Sequence, residues 1–326
     1  MMRFVFIRLG IVLVAGLVTL PGAAQTTDWP NRPVRFIVPF PPGGTVDPLA
    51  RLVGSRLSSA LGQQFIVDNR PGASGSLGTG LAAKSTPDGY TFVFVFDTHA
   101  VNPTLIPNLP FDTVKDLAPV MLVGTAPNAV VTNLTKPYKT FTDVIKIAKA
   151  KPESITYGSV GSGSLGHLTM TLVQQVGGFR IVHIPYKGGG PMTVEVLGGQ
   201  VDLGIGSVAL LSPQVRGGKM RALAVTSDKR SSALPDVQTL VEQGFPGLSA
   251  LAWWGVLAPA GTPKPIMDKF HAELAKVLNS PDVHKQLTEQ MGIDLAVSSP
   301  QALQKFLVAE IARWGKVIRE NSIKAE

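Results

Sequence analysis

The chain contains no cysteine, and this absence excludes several kinds of chemistry. Without thiols there are no disulfide bonds, no thiolate metal ligands and no cysteine nucleophile. A lipid-anchored precursor also needs a cysteine at its cleavage site. We therefore expect a protein that is not a lipoprotein and that folds without covalent cross-links.

The residue patterns of hydrolases and of metal sites are also missing from the sequence. No G-x-S-x-G pattern, which marks the nucleophile elbow of many hydrolases, occurs in the chain. No two histidines are four residues apart, the spacing that a helical metal site needs. We expect no catalytic triad, no metal and no cofactor, and a structural role for the histidine near a helix start, His167. The histidines are His99, His167, His183, His271 and His284.

The positive charge is not concentrated in any one segment. Thirty Lys and Arg residues against 22 Asp and Glu give a formal charge of +8, which by itself would be compatible with nucleic-acid binding. However, the basic residues occur one or two at a time, without a basic run or interleaved aromatic residues. The pattern therefore predicts no nucleic-acid partner.

One apolar run stands out, and it lies near the N-terminus. Arg3 and Arg8 precede the run from Ile11 to Leu20, and small residues follow up to Ala24. About ten apolar residues are short for a membrane span, which needs roughly 20. The alternative is an uncleaved membrane anchor. We expect residues 1–24 to be a signal peptide that is cleaved after Ala24, which places the mature protein in the periplasm.

The segment from Phe36 to Val53 predicts an anion-binding turn. Apolar residues run up to Phe40, two prolines and two glycines follow, and a helix opens at Thr45. The glycines lack the Cβ atoms that would keep a ligand away from the backbone. A helix N-terminus carries free N–H groups and partial positive charge, so its preferred guest is an anion.

Strands and helices alternate along the chain, which predicts the α/β class. Two sets of α/β units are separated by extended stretches at 119–131 and 248–257. This arrangement predicts one discontinuous domain, 25–124 with 252–326, and one inserted domain, 125–251. The two extended stretches would then form a two-strand hinge.

Several element boundaries follow from the same pattern. The buried strand from Tyr90 to Phe96 is expected to end at the stretch 97–103. Near the C-terminus we expect helices at 264–279 and 282–291, and a last helix that Ser299 caps.

A dinucleotide fingerprint provides the main alternative. Residues 161–166 read G-S-G-S-L-G, which matches G-x-G-x-x-G between a strand and a helix. The fingerprint also requires an acidic residue about 20 positions on, at the end of the next strand. Pro185-Tyr186-Lys187 stands there instead. We interpret the loop as a binding site for a smaller anion, with a simple Gly/Ser turn as the plain alternative.

A set of motifs spread over nearly the whole chain gives the sequence a specific resemblance. The motifs are Trp29-Pro-Asn-Arg-Pro-Val-Arg-Phe-Ile-Val-Pro-Phe-Pro-Pro-Gly-Gly44, Asn69-Arg-Pro-Gly-Ala-Ser-Gly75, Pro87-Asp-Gly-Tyr90, Ala100-Val-Asn-Pro103, Tyr157-Gly-Ser159, Tyr186-Lys-Gly-Gly189, Leu197-Gly-Gly-Gln-Val-Asp202, Arg221-Ala-Leu-Ala-Val-Thr226, Leu234-Pro-Asp-Val237 and Leu257-Ala-Pro-Ala-Gly-Thr-Pro263. In order and spacing they resemble the Bug family of periplasmic solute-binding proteins, the receptor components of tripartite tricarboxylate transporters.

The resemblance implies a fold, a function and partners. It implies the two-lobed type II periplasmic binding protein fold, which closes on a small organic acid and presents it to inner-membrane transporter subunits. It implies no catalytic activity, and we expect a monomer. An orphan receptor or a sensor with the same pocket, or an exported dinucleotide-dependent enzyme using Gly161, Gly163 and Gly166, remain alternatives. Amino acids, dicarboxylates, aromatic acids and amide-type ligands all remain open.

The expected ligand contacts lie in loops at the carboxyl ends of strands, where open α/β sheets bind ligands. From the first lobe they are Phe40, Gly43, Gly44, Thr45, Asp47, Asp97, Thr98 and His99. From the second lobe they are Ser159, Gly161, Ser162, Tyr186, Lys187, Gly188, Gly189 and Ser207.

Three of these expected contacts have a structural alternative, and so do the two tryptophans of the hinge strand. Asp47 is expected to fix the helix start rather than to touch an anion. Lys187, the cation of these loops, is equally compatible with a solvated surface position. As a ligand contact, Asp97 would repel a second carboxylate. Its structural alternative is to stabilise its own loop by accepting hydrogen bonds from backbone N–H groups. Of Trp253 and Trp254, alternation sends one ring toward the cleft and the other into packing, with core packing of both as the default.

Overall fold

The computed structural model describes Met1 and residues 28–324 of the 326-residue chain; apart from Met1, the expected signal peptide lies outside the described residues. The strands are β1 (Val34–Val38), β2 (Phe65–Asn69), β3 (Thr91–Phe96), β4 (Leu117–Asn133), β5 (Thr156–Ser159), β6 (Val182–Pro185), β7 (Leu203–Ser207), β8 (Met220–Val225), β9 (Leu251–Pro259) and β10 (Asp294–Leu295). The helices are α1 (Val46–Leu61), α2 (Ser76–Ala83), α3 (Thr98–Leu105), α4 (Phe141–Ala150), α5 (Leu165–Gly177), α6 (Gly189–Leu197), α7 (Val208–Arg216), α8 (Lys264–Leu278), α9 (Pro281–Lys285) and α10 (Pro300–Glu320).

One continuous path of strands joins the two lobes. Its order is β2-β1-β3-β9-β4-β7-β5-β6, with β8 and β10 also paired to β4. The strand β4 pairs with β9 from Leu117 to Pro127 and with β7 and β8 from Asn128 to Asn133. The lobe that holds β1, β2 and β3 is called lobe 1 below, and the lobe that holds β5, β6 and β7 is called lobe 2. The predicted domain limits at 124 and 252 remain a prediction.

Strands that are buried on both faces explain why helices cover the sheet on two sides. In β1, Phe36 and Val38 belong to one hydrophobic cluster and Ile37 to another. Alternation does the same in β9, where Trp254 belongs to the first cluster and Trp253 to the second. Continuous apolar strands of this kind are typical of sheets with helices on both faces. The predicted α/β class is confirmed.

Two short elements differ from the sequence-based expectation. The stretch that follows β3 is the helix α3, whose one proline, Pro103, makes it look like a strand end in the sequence. The expected helix at 282–291 is instead the short α9 followed by a π-helical segment, Gln286–Gln290. Both segments are too short to show a clear helical period.

Within the described part of the chain, no helix combines the length and the apolar character that crossing a bilayer requires.

Candidate functional site

A large cavity lies between the loops of the two lobes. Its volume is about 540 Å³. Lobe 1 contributes residues 39–41 and 71–75, and lobe 2 contributes residues 160–162 and 185–188. Two of the four segments directly follow a strand, residues 71–75 begin two residues after β2 ends, and residues 185–188 contain the end of β6, so the sheet brings the loops to one edge. We call this cavity the outer compartment.

A second, much smaller cavity adjoins it, and we call it the inner compartment. The two share Phe40, Pro41, Val160 and Gly188 in their walls, and the inner one holds about 30 Å³. That volume exceeds the 10–15 Å³ that one water molecule needs, so it admits a small polar group.

Three helix N-termini from both lobes meet at the inner compartment. Its walls include Thr45 at the start of α1, Gly189 at the start of α6 and Ser207, which directly precedes α7. Each N-terminus presents backbone N–H groups and partial positive charge. The arrangement therefore favours an anionic group at this point.

The loop between β1 and α1 lies against the backbone of lobe 2 at two glycines. Gly43 has a left-handed φ of +90°, and a Cβ atom there would lie 3.5 Å from Gly190 Cα. A Cβ atom at Gly190 would in turn lie 3.1 Å from Pro42 O. The two lobes are thus in backbone contact beside the inner compartment.

Thr45 is positioned by a tryptophan of β9. Its hydroxyl accepts a hydrogen bond from Trp254 Nε1 at 3.0 Å. Among the described residues, the Thr45 side chain makes no capping bond to α1, so it leaves the N–H groups of the first turn to other partners. Both tryptophans are buried, and Trp253 packs against Phe306 on the opposite face of the sheet.

Asp47 acts on this loop through its neighbours. Its Oδ1 accepts a hydrogen bond at 2.9 Å from Asn69 Nδ2, which also donates to Phe40 O at 3.0 Å. Arg51, one turn further along α1, pairs with the same carboxylate. Asp47 is buried and lies outside the walls of both compartments.

The structure does not bring Asp97, Thr98 and His99 to the cavity walls, although Phe96 lines the inner compartment. All three side chains are buried. Burial raises the pKa of Asp97 well above its usual range, Glu310 adds to the rise, and hydrogen bonds from the backbone N–H groups of Leu165 and Thr98 oppose it. Burial lowers the pKa of His99 to about 3.

In lobe 2 the predicted residues divide into those in the walls and one behind them. Gly161, Ser162, Tyr186 and Lys187 line the outer compartment, Gly189 and Ser207 line the inner one, and Gly188 lines both. Ser159 is fully buried and lies behind the wall.

Lys187 supplies positive charge to the outer compartment. It is exposed, and it is the only basic side chain in the described walls of the two compartments. Within the described residues it is paired with no carboxylate. A second acidic group on a ligand is the partner that this lysine fits.

In sequence and overall fold the chain is similar to a known receptor family. The family model described as "Tripartite tricarboxylate transporter family receptor" matches residues 49–323. The chain belongs to this family. BugT of Bordetella pertussis is 36% identical to it over 318 residues, which make up 97% of each chain.

Two solved structures of related proteins contain a ligand. R. palustris Rpa4515 with adipate is 36% identical and superposes with a TM-score of 0.87, covering 92% of this chain and 100% of that one. MatC (Rpa3494) from Rhodopseudomonas palustris with bound malate is 30% identical, with a TM-score of 0.83, and covers 89% of this chain and 100% of that one.

Membership confirms the resemblance found in the sequence motifs and the binding-protein fold. The chain is a solute receptor and not an enzyme, which removes the dinucleotide-dependent alternative. The structure gives that loop a different use: a Cβ atom at Gly163 would lie only 2.2 Å from Leu105 Cδ2, so its backbone packs against α3 of lobe 1. Among the described residues, no group of three or more acidic or histidine side chains is placed to hold a metal ion.

One wall segment of the receptor's cleft was not among the contacts expected from the sequence. Residues 71–75 line the outer compartment, and Ala73 and Ser74 have left-handed φ values of 46° and 51°. Ser74 Oγ donates a hydrogen bond of 2.9 Å across the cleft to Ser162 O. The sequence contained a signal for this loop, because Pro-Gly and Ser-Gly pairs mark turns and loops, and glycine lets the backbone come close to a ligand.

Proposed function

We propose that this receptor captures a small carboxylate-bearing molecule between its lobes in the periplasm and delivers it to a tripartite transporter. The carboxylate occupies the inner compartment and the rest of the molecule fills the outer one. The expected signal peptide at 1–24, with cleavage after Ala24, belongs to the same proposal, and so does a monomeric state.

The observation that carries the proposal is the convergence of three helix N-termini on a space of about 30 Å³. Thr45 comes from lobe 1, whereas Gly189 and Ser207 come from lobe 2. An anion held there contacts both lobes, so the closed arrangement gains population when the ligand binds. The adipate and malate found with two relatives support the choice of a carboxylate.

A thermal-shift screen of organic acids, followed by calorimetry, tests the capture of a carboxylate. Adipate and L-malate are the first probes, and adipamide is the matched control because it keeps the shape and lacks the charge. At 100 times the dissociation constant, binding stabilises the protein by about 2.7 kcal/mol, or roughly 5 °C. The proposal fails if no acid in the panel shifts the midpoint or if adipamide binds as well as adipate.

Delivery is tested separately, in cells. Deleting the gene should abolish uptake of the bound acid, and expressing the chain alongside the membrane subunits should restore it. Normal uptake in the deletion strain would contradict delivery and favour the sensor or orphan-receptor alternative. Light scattering of the purified chain measures its molar mass and so tests whether the protein is a monomer.

A further inference from the structure

Behind the loop of residues 159–164, here called the ligand loop, three rings form a stack. Tyr157 of β5 lies 4.9 Å from His183 of β6, measured between ring centroids. His183 lies 3.9 Å from His167 of α5, and their planes differ by 11°. None of the three rings lines either compartment in the described structure, so the proposed function makes no use of them.

Both histidines hold the backbone of the ligand loop. His183 Nε2 lies 2.7 Å from Ser159 Oγ, which in turn donates to Gly161 O at 3.0 Å and accepts from Gly161 N at 3.3 Å. His167 Nδ1 accepts a hydrogen bond of 3.1 Å from Gly163 N. The two glycines adopt φ values of +149° and +77°, which side chains rarely allow.

These hydrogen bonds assign the tautomer of each ring. A serine hydroxyl has one proton, and we assign that of Ser159 to the bond with Gly161 O, which makes His183 Nε2 the donor of its bond to Ser159 Oγ. Its buried Nδ1 has no partner in the described part of the chain and is left unprotonated. His167 Nδ1 is an acceptor and therefore also carries no proton. Both rings are neutral with the proton on Nε2.

The surroundings keep the rings neutral. Burial lowers the pKa of His167 to about 4. Burial, together with the neighbouring His167, lowers the pKa of His183 to about 3. The titratable groups that face the pair are Tyr157 on β5 and the two rings themselves, on β6 and α5. Within the described residues, neither ring is paired with a carboxylate.

We propose that His167 and His183 are positioning residues, whose neutral rings hold Gly161 and Gly163 in the binding conformation and so set ligand affinity without touching the ligand. The affinity part of this proposal rests on the proposed function. The assignment of the rings as neutral supports of the loop does not.

Matched variants separate positioning from simple packing. His167→Leu and His183→Leu remove the hydrogen bond but keep an apolar side chain. His167→Asn keeps an acceptor near the Nδ1 position, and His183→Gln keeps a donor near the Nε2 position. The exposed His284→Leu is the control.

We expect each Leu variant to bind adipate or L-malate about tenfold more weakly, the effect of losing one buried hydrogen bond. The Asn and Gln variants should stay within about threefold of the original protein. The pH dependence of affinity gives a second measurement. Toward pH 4, the original protein should lose more affinity than the His167→Asn/His183→Gln double variant. Protonation of the ligand affects both proteins equally, so it cancels in this comparison. Equal affinities in all variants, or no rescue by Asn and Gln, would overturn the proposal.

Nitrogen-15 NMR of the ligand-free protein decides the structural part, even if no acid binds and the proposed function fails. Both rings should be neutral Nε2–H tautomers at pH 7. The amide signal of Gly163 should move in His167→Leu and return in His167→Asn. A Nδ1–H tautomer or a charged ring in either histidine would refute the proposal in the original protein, without relying on any variant that fails to fold.

Discussion

At the scale of single residues, Lys187 offers the sharpest question about ligand choice. It lines the outer compartment, whose other wall residues include Pro39, Phe40 and Pro71. Such a wall suits an apolar body between two acidic groups, one in the inner compartment and one near the lysine.

We therefore expect Lys187→Gln to weaken binding of adipate by roughly fivefold, since an exposed charge pair contributes about 1 kcal/mol or less. Binding of hexanoate, which has the same length and one carboxylate, should change little. Lys146→Gln on α4 is the control, because it removes another exposed positive charge from lobe 2. Calorimetry at low salt measures the effect. Equal losses of affinity for both acids would show that Lys187 only attracts anions in general and does not bind a second carboxylate.

The residue types at the site could be predicted from the sequence better than their contacts. The glycines of the β1–α1 loop and of residues 188–189 could be predicted, because glycine before a helix has a recognisable physical purpose. That Asn69 links Asp47 to Phe40 O could not be predicted, since it depends on β2 lying beside β1. Nor does the sequence show that Asp97 turns away from the cavity, as this depends on where α5 packs.

At the scale of elements, the β1–α1 loop allows a test that separates backbone strain from ligand binding. An alanine at Gly43 or at Gly218 meets a left-handed φ, +90° or +66°, and should cost about 1–2 kcal/mol of stability in either case. Only Gly43 lies beside the other lobe; a Cβ atom at Gly218 has no neighbour within 4 Å among the described residues.

We expect both Gly43→Ala and Gly218→Ala to unfold at lower urea concentration, but only Gly43→Ala to bind organic acids more weakly, by about tenfold or more. Urea titration and calorimetry on the same preparations measure the two effects. Full affinity in Gly43→Ala would show that the loop tolerates a side chain at the lobe contact.

The elements themselves were predictable where the sequence pattern was long. The helix α1 has apolar residues at helical spacing and ends before Gly62, whose φ of 70° matches the expected left-handed end. The helix α3 was missed because eight residues with one internal proline carry little periodicity. Its stability comes from packing against α10, a contact between distant parts of the sequence.

At the scale of the whole molecule, buried histidines predict a loss of stability in acid. The pKa values of His99, His167 and His183 fall from 6.5 to about 3, 4 and 3. Below pH 6.5 the unfolded chain takes up protons that the folded chain does not, so the free energy of unfolding decreases as the pH falls. Each histidine contributes at most about 1.4 kcal/mol per pH unit.

Asp97 acts in the opposite direction. Because its pKa is raised, the carboxyl group keeps a proton in the folded chain that the unfolded chain has released. The contribution of Asp97 to the free energy of unfolding therefore increases as the pH falls from neutral toward 3.8. Because three histidines oppose this one carboxyl group, the net effect of acid is a lower free energy of unfolding. We expect the melting midpoint to fall steadily from pH 6.5 to 4.5, and His99→Gln to make this slope shallower. The exposed His284→Gln is the control, and a midpoint that is constant over this range would contradict the prediction.

The strand β4 runs without interruption through both lobes, bonded to β9 in one and to β7 and β8 in the other. If a flexible linker joined the two lobes, they could move far apart. Bringing them together around a ligand would then cost conformational entropy of the linker. A shared strand instead keeps the two lobes close to each other before the ligand binds. Capture then requires little reordering of the chain, and more of the contact energy is available for affinity.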